Sequence, residues 1–176
     1  MTSIVMTMMG MDRPGLVDSI AQVVADHEGN WLESRMAHLA GQFAGVLRVS
    51  VASARAESLI AALLHLESEG LRVIIEQSNS DHRRFGTRSA VMQLIGNDRP
   101  GIVRQVTHTL AARGVNVEEF HTECVNAPMS GDKLFRARAS LRLPASVTLI
   151  DLRQELERIA HDLVADVTLR EAEEAE

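Results

Sequence analysis

Aromatic side chains are scarce in this sequence: they make up 3% of the 176 residues, tyrosine is absent, and Trp31 is the single tryptophan. Hydrophobic residues nevertheless account for 45% of the chain. Methionine, valine, leucine, isoleucine and alanine must therefore fill the core. The composition is that of a globular protein, and the length allows two domains, each near the lower size limit for an independent core.

Cysteines and basic runs are also few. Cys124 is the single cysteine, so no intrachain disulfide framework is expected and a cytoplasmic location fits best. The net charge is −6, and no run of lysine and arginine resembles a nucleic-acid tail, which argues against direct binding to DNA or RNA. Residues 1–9 lack the pattern of a signal peptide and no apolar run could span a bilayer, so no membrane association is expected.

The motifs of common catalytic and metal sites are absent as well. The chain has no G-x-S-x-G, no Walker loop and no H-E-x-x-H. Residues 121–124, His-Thr-Glu-Cys, contain the H-x-E of zinc deaminases, but the P-C-x-x-C that supplies the other ligands is missing. We therefore predict no catalytic residues, no metal and no cofactor, and hence a protein that is not an enzyme.

One short stretch occurs twice. Residues 10–17 are Gly-Met-Asp-Arg-Pro-Gly-Leu-Val and residues 96–103 are Gly-Asn-Asp-Arg-Pro-Gly-Ile-Val, at an offset of 86 positions. Each copy follows an apolar run and precedes apolar residues at helical spacing, which predicts a strand, a tight turn and a helix start. The repeat indicates a duplicated unit, and each turn is a candidate site.

The residue types of this D-R-P-G turn suit both a helix start and a ligand site. Asp12 and Asp98 are expected to cap the following helix, with the proline of each motif in its first turn. Gly15 and Gly101 leave the helix N-terminus without a side chain, so a carboxylate or phosphate could approach the backbone. The alternative is a well-built helix start with no ligand, which duplication would also repeat.

Alternation and helical spacing predict the order strand, helix, strand, strand, helix, strand in the first half. The predicted strands span 3–9, 30–38, 43–52 and 71–76, one helix follows the turn, and the other spans 56–69. In the second strand, Trp31, Glu33 and Arg35 are expected on one face.

The second half repeats this order with a changing offset. From Phe43 and Phe135 onward the offset is 92, which places six extra residues in the second hairpin, around 126–132. At this offset the later apolar residues Ile60, Leu64 and Leu71 match Leu152, Leu156 and Leu163.

The predicted domain limits follow from the polar stretches. They are 1–78 for the first domain, 79–88 for a linker, 89–170 for the second domain and 171–176 for a disordered acidic tail. Thr148, with Asp151 three residues later, predicts a capping box at the start of the last helix.

The βαββαβ order in each half predicts an α+β protein of two ferredoxin-like units, each an antiparallel sheet with both helices on one face. On the third strand of the second unit the opposite face carries Arg136, Arg138, Ser140 and Arg142. This pattern is typical of a solvated charged face, with a specific anion site as the alternative.

A strand, the D-R-P-G-[LI]-V turn and a helix closed by Gly-Asn or Gly-Val-Asn resemble the ACT domain, a regulatory module that binds amino acids. The resemblance covers about residues 1–170 and depends on the paired turns together with the βαββαβ order. Two such units with nothing else resemble the stand-alone tandem ACT regulators of glycine cleavage.

In amino-acid-binding ACT domains the ligand sits at an interface between two units, against the first turn of one and the Gly-x-Asn region near the second strand. The resemblance therefore implies six ligand-binding residues: Asp12, Gly15, Asn30, Asp98, Gly101 and Asn116. The chain departs from the serine-binding ACT domain of phosphoglycerate dehydrogenase, which has a histidine two residues before an asparagine in the turn. Those places hold Gly10 and Asp12, and Gly96 and Asp98, and an aspartate prefers the ligand's ammonium group to its carboxylate.

The implied function is that of a non-enzymatic sensor. It would bind a small amino acid, with glycine as one candidate, form a homo-oligomer, and control a partner protein such as a transcription factor or an enzyme. Two alternatives stay open: an interaction module with no ligand, and a regulatory subunit of an amino-acid or one-carbon enzyme.

Overall fold

The computed structural model describes residues 1–78, 88–127 and 132–172. The chain divides into two compact units, Met1–His82 and Arg83–Glu176. Each unit has a four-stranded antiparallel sheet and two α-helices in the order βαββαβ. The predicted α+β fold with two ferredoxin-like units is confirmed.

The first unit has the sheet order β2-β3-β1-β4. Its elements are β1 (Thr2–Met11), α1 (Leu16–Asp26), β2 (Asn30–Leu39), β3 (Gln42–Val51), α2 (Ala56–His65) and β4 (Leu71–Ser78), with 3-10 turns at Ser53–Arg55 and Leu66–Glu69. The predicted helix 56–69 is thus α-helical for its first ten residues and tightens to a 3-10 turn before Gly70.

The second unit has the equivalent order β6-β7-β5-β8. Its elements are β5 (Arg88–Asn97), α3 (Ile102–Ala112), β6 (Asn116–Asn126), β7 (Lys133–Leu143), α4 (Leu149–Asp162) and β8 (Ala165–Glu171).

One face of each sheet and both of its helices form one apolar core. In β1, Ile4, Met6 and Met8 are at most 1% exposed, because alternate side chains of a strand point to opposite faces. The helices add a buried stripe to that face in each unit: Leu16, Ile20, Val24, Leu59 and Leu63 in the first, and Ile102, Val106, Leu110, Leu152 and Leu156 in the second. The core is largely aliphatic, as the composition predicts.

A β-bulge interrupts β2 and β6 at the same place. The register with the neighbouring strand shifts between Trp31 and Glu33, and again between Val117 and Glu119. A bulge reverses the alternation of side chains. The prediction that Trp31 shares a face with Glu33 and Arg35 is therefore wrong, because Trp31 packs against the core while Glu33 and Arg35 are exposed, 3.8 Å apart.

The predicted match of Ile60, Leu64 and Leu71 to Leu152, Leu156 and Leu163 is also wrong. In α2 the fully buried positions are Leu59 and Leu63, whereas Leu64 is 41% exposed. They take the places of Leu152 and Leu156 in α4, at an offset of 93.

The offset between the two units changes once more at the last strand. Gly10 pairs with Leu71, and the matching Gly96 pairs with Ala165, so the offset between β4 and β8 is 94. The connections before and after the buried leucines of α4 are each one residue longer than in the first unit. A comparison of the sequences does not reveal the longer connections, because Leu59 and Leu63 are each followed by another apolar residue in α2.

Several predicted boundaries meet the edges of the described residues. Of the predicted linker, 79–87 lie outside them, and Arg88 begins β5. Residues 128–131 of the predicted insertion also lie outside. Glu171, assigned to the tail from its charge, instead ends β8 because its backbone pairs with Ala90; residues 173–176 lie outside the described part of the chain.

Candidate functional site

The first D-R-P-G turn joins the end of β1 to α1. The backbone N–H of Asp12 donates to the carbonyl oxygen of Gly41 at 3.0 Å, which ties the turn to the β2–β3 hairpin. Gly15 adopts a left-handed conformation with φ 89°. Its carbonyl oxygen accepts the first helical hydrogen bond, from the N–H of Ser19 at 2.9 Å.

The second turn has the same geometry. The N–H of Asp98 donates to the carbonyl oxygen of Lys133 at 2.9 Å, Gly101 has φ 88°, and the N–H of Gln105 donates to Gly101 at 3.0 Å. A side chain at Gly15 or Gly101 would meet no atom within 4 Å. Both helix N-termini are therefore open, as the two glycines predict.

The aspartates do not cap the helices, so that prediction is wrong. The N-cap residues are Gly15 and Gly101, and neither helix has a side-chain cap. Asp12 and Asp98 lie three residues earlier, where their backbones still pair with the hairpin. The prolines precede the N-cap and shape the turn instead of lying in the first helical turn.

A side-chain cap does form at the last helix. The Thr148 hydroxyl accepts from the Asp151 N–H at 3.1 Å and donates to the Asp151 carboxylate at 2.6 Å. The Thr148 cap of the predicted capping box is confirmed, but the Asp151 side chain bonds to the Thr148 hydroxyl, so the reciprocal half of the box differs from the prediction. In α1 and α3, by contrast, no side chain caps the helix. The Ile102 N–H donates to the carbonyl oxygen of Arg99 at 3.5 Å, and the N–H groups that follow it in the first turn are open to solvent or to a ligand.

Each turn aspartate has a neighbour that the sequence did not predict. Nε2 of His38 lies 3.6 Å from the Asp12 carboxylate, and the Cys124 thiol donates a hydrogen bond to Asp98. Partial desolvation, and then the charge and hydrogen bond of Asp98, raise the pKa of the Cys124 thiol, with Lys133 opposing them. His38 and Cys124 are 86 residues apart, so the repeat offset could have found them as a matched pair.

The arginine of each motif has a structural contact. Arg13 donates to the carbonyl oxygen of Glu69 at 3.2 Å and lies 3.5 Å from its carboxylate. Arg99 donates to the carbonyl oxygen of Asp162 at 2.9 Å. These bonds hold the turn to the end of the second helix of the unit, so the arginines position the turn.

Gly10 and Gly96 are required by a close approach of the neighbouring strand. A Cβ at Gly10 would lie 2.8 Å from the carbonyl oxygen of Gly70, and one at Gly96 would lie 2.5 Å from Cβ of Ala165. These are the places where the serine-binding ACT domain has its histidine. The turn of this protein therefore has no room for that ligand contact.

Asn30 and Asn116 are exposed at the starts of β2 and β6, far from the turn of their own unit. Asn30 pairs with Ser50, which pairs with Ser3 at one end of β1, whereas Asp12 follows Met11 at the other end. At about 3.3 Å per residue the two ends are roughly 26 Å apart. One unit thus brings Asp12 to Gly15 and Asp98 to Gly101, but it does not bring either aspartate to an asparagine.

The two turns differ in one charge. The third residue of α1 is Asp18, whereas the matching residue of α3 is Arg104, and α3 has no acidic residue in its first turn. A carboxylate near a helix N-terminus already interacts with the helix dipole, and a cation there adds to the positive potential. The second turn is the better of the two for an anionic group.

Metal-binding clusters and membrane-spanning helices are both absent from the described residues. Within 1–78, 88–127 and 132–172 no group of three or more histidine, cysteine, aspartate or glutamate side chains could hold a metal ion. Over the same ranges, no helix combines the length and apolarity needed to cross a bilayer.

The fold and the duplicated turn define a class of small α+β modules with the element order βαββαβ. The profile of the ACT domain family matches residues 2–76, and the second unit repeats the same architecture and turn. The first unit therefore matches the ACT domain family, and the chain as a whole has the architecture of two tandem ACT-like units.

Similar proteins extend over nearly the whole chain. The glycine cleavage system transcriptional repressor of Escherichia coli K12 is 24% identical over 164 residues, 92% of this chain and 86% of the repressor. A crystal structure of a protein of unknown function from Galdieria sulphuraria has a TM-score of 0.85 and 30% identity, with 98% and 99% of the two chains covered. A putative glycine cleavage system transcriptional repressor shares the fold, with a TM-score of 0.72, 18% identity and 98% of each chain covered.

Proposed function

We propose that this protein is a non-enzymatic, cytoplasmic regulator that binds a small amino acid at its D-R-P-G turns and controls a partner protein. Glycine is the first ligand to test and glycine cleavage the first pathway, because the E. coli relative is a glycine cleavage system transcriptional repressor. The observation that carries the proposal is the twice-built turn, in which an uncapped helix N-terminus adjoins an exposed aspartate.

The chemistry of the turn suits a zwitterion. The free N–H groups at the start of the helix favour the ligand's carboxylate, and the carboxylate of Asp98 or Asp12 favours its ammonium group. The glycine N-cap leaves room for backbone contacts. Because Arg104 adds positive charge where the first turn has Asp18, we expect the second turn to bind more tightly.

In this proposal, Asn30 and Asn116 contact a ligand that is bound at a turn of a second copy of the chain. A small amino acid at Asp12 cannot reach Asn30 of the same unit, which lies at the far end of the sheet. We propose that Asn30 and Asn116 complete sites in a homo-oligomer. Regulation would pass through a protein partner, since the net charge of −6 disfavours phosphate contacts with DNA.

A thermal-shift screen of the twenty amino acids tests the ligand. At 100 times its dissociation constant, a ligand specific for the folded state stabilises it by about 2.7 kcal/mol. At roughly 2 to 4 °C per kcal/mol the melting temperature should rise by about 5 to 11 °C. Asp98→Asn should reduce this rise more than Asp12→Asn, while Glu171→Gln, an exposed acid at the other end of the second sheet, should leave it unchanged.

An interaction module without a ligand is the second candidate. It is favoured by the apolar side chains on the open face of the first sheet, where Met9, Val46 and Ile74 are 45%, 45% and 67% exposed. If no amino acid at millimolar concentration shifts the transition, this candidate replaces the sensor. If glycine shifts it equally in both aspartate variants, the ligand binds away from the turns.

A further inference from the structure

A second candidate site lies on the open face of the second sheet, opposite the helices. A depression of about 430 Å³ is lined there by side chains of β5, β6 and β7. Gln93 pairs with Arg138, and Arg138 pairs with His121, so these three residues form one row across the sheet. Directly opposed residues have Cβ atoms about 4.5 to 5.5 Å apart, so their polar groups lie side by side on this face.

The neighbouring row limits the depression on one side. Ile95 pairs with Arg136, and Arg136 pairs with Glu123. The guanidinium of Arg136 lies 3.6 Å from the Glu123 carboxylate, which largely balances its charge. Ile95 is 44% exposed and forms an apolar wall.

The central charge of the depression is that of Arg138. Arg142, further along β7, is held by two bonds of 3.1 and 3.3 Å to Glu118. Arg138 forms no ion pair with any residue in the described ranges. A guanidinium binds a carboxylate or phosphate through two parallel N–H bonds, and the Gln93 amide and the His121 ring offer further donors beside it.

The fold does not require an arginine at the position of Arg138, as the first unit demonstrates. At the offsets of the repeat, Val46 takes the place of Arg138 and Thr7 that of Gln93. The same sheet face thus forms with an aliphatic residue at its centre. A solvated face would accept either composition, but an arginine without an ion pair among the described residues, with two further donors beside it in a depression, favours an anion.

We propose that this depression binds a small organic anion, with its carboxylate or phosphate group between Arg138, His121 and Gln93 and its apolar part against Ile95. The volume lies in the range of small-molecule sites, about 300 to 1,000 Å³. The site shares no residue with the D-R-P-G turns. It would give the protein a second input, independent of the amino acid proposed above.

NMR titration of the full chain tests the proposal with inorganic phosphate and succinate as probes, each against sodium chloride at equal ionic strength. We expect saturable shifts of the Gln93 side-chain amide and the Arg138 backbone amide. Arg138→Gln should weaken binding by roughly tenfold or more, because it removes charge-assisted hydrogen bonds. The affinity of Arg138→Lys should lie between those of the wild type and Arg138→Gln, since lysine keeps the charge but lacks the paired N–H donors.

The control is Arg170→Gln, an exposed arginine on the same sheet face outside the depression, which should bind like the wild type. Saturation by phosphate alone would assign the ligand to phosphate esters, and saturation by succinate alone to carboxylates. Shifts that match those of chloride, or that persist in Arg138→Gln, would overturn the site. Neither result affects the amino-acid proposal, which the aspartate variants test separately.

Discussion

Val164 adopts the left-handed backbone conformation that Gly70 adopts at the matching point of the first unit, with φ 50° against 90°. Both residues connect the second helix of a unit to its last strand. For a β-branched residue this conformation is strained, whereas glycine accepts it freely. Val164 is 71% exposed, so its side chain contributes little burial in return.

Val164→Gly should therefore stabilise the protein. The relief of left-handed strain, about 1 to 2 kcal/mol, exceeds the entropy cost of a new glycine, about 0.5 to 1 kcal/mol. The free energy of unfolding in urea should rise by up to about 1.5 kcal/mol. Gly70→Val is the reciprocal variant and should lower it; equal losses in both variants would contradict the proposed strain.

Gly96→Ala should destabilise the second unit. The new Cβ would lie 2.5 Å from Cβ of Ala165, so the strands must move apart, at a cost of about 1 to 3 kcal/mol. Adding Ala165→Gly should restore part of the loss, because it removes the nearest clashing atom. A double-mutant cycle in urea measures this coupling, and strictly additive losses would show that the close approach is not the cause.

Asp98→Asn should make Cys124 more reactive. Desolvation and the negative charge of Asp98 raise the pKa of the thiol, and the thiolate is the reactive form. Removing the charge lowers the pKa, so alkylation by iodoacetamide at pH 8 should accelerate and its pH–rate midpoint should move down. Lys133→Gln should act in the opposite direction, because Lys133 lowers the pKa; an unchanged rate in both variants would place the thiol away from these charges.

Thr148→Ala should cost about 1 kcal/mol of stability, as for other lost N-caps, since its hydroxyl accepts from the Asp151 N–H at 3.1 Å. Asp98→Ala should change the free energy of unfolding by less than about 0.5 kcal/mol, because Asp98 is exposed and α3 has no side-chain cap. Chemical denaturation of both variants gives the comparison. A loss at Asp98 as large as at Thr148 would restore the aspartate as the cap.

Much of the fold follows from local sequence signals. Gly15 and Gly101 mark the helix starts, and alternation in the strands identifies the buried face. The β-bulge after Trp31 could not be predicted in this way. At a bulge, two residues of one strand lie opposite a single residue of its neighbour, and an alternating sequence pattern does not reveal where this occurs. The correct helix register was hidden for a related reason: Leu63 and Leu64 are both leucine, and only packing distinguishes the buried one.

The candidate site was predictable in part. The turns were found because their residues are contiguous, and glycine and proline have specific backbone roles there. His38 and Cys124 were missed because a hairpin brings them to the aspartates over 26 residues of chain in each unit. The separation of Asp12 from Asn30 needed the strand register, which the sequence does not contain.

The bulges of β2 and β6 also indicate which features of the chain preceded its duplication. A feature that occupies the same place in both copies, as these bulges and the D-R-P-G turns do, was already present in the single ancestral unit before the gene was duplicated. At one matching position the second unit has Arg138 and the first unit has Val46. This difference arose after the duplication. The turn chemistry is therefore common to both units, whereas the basic sheet face belongs to the second unit alone.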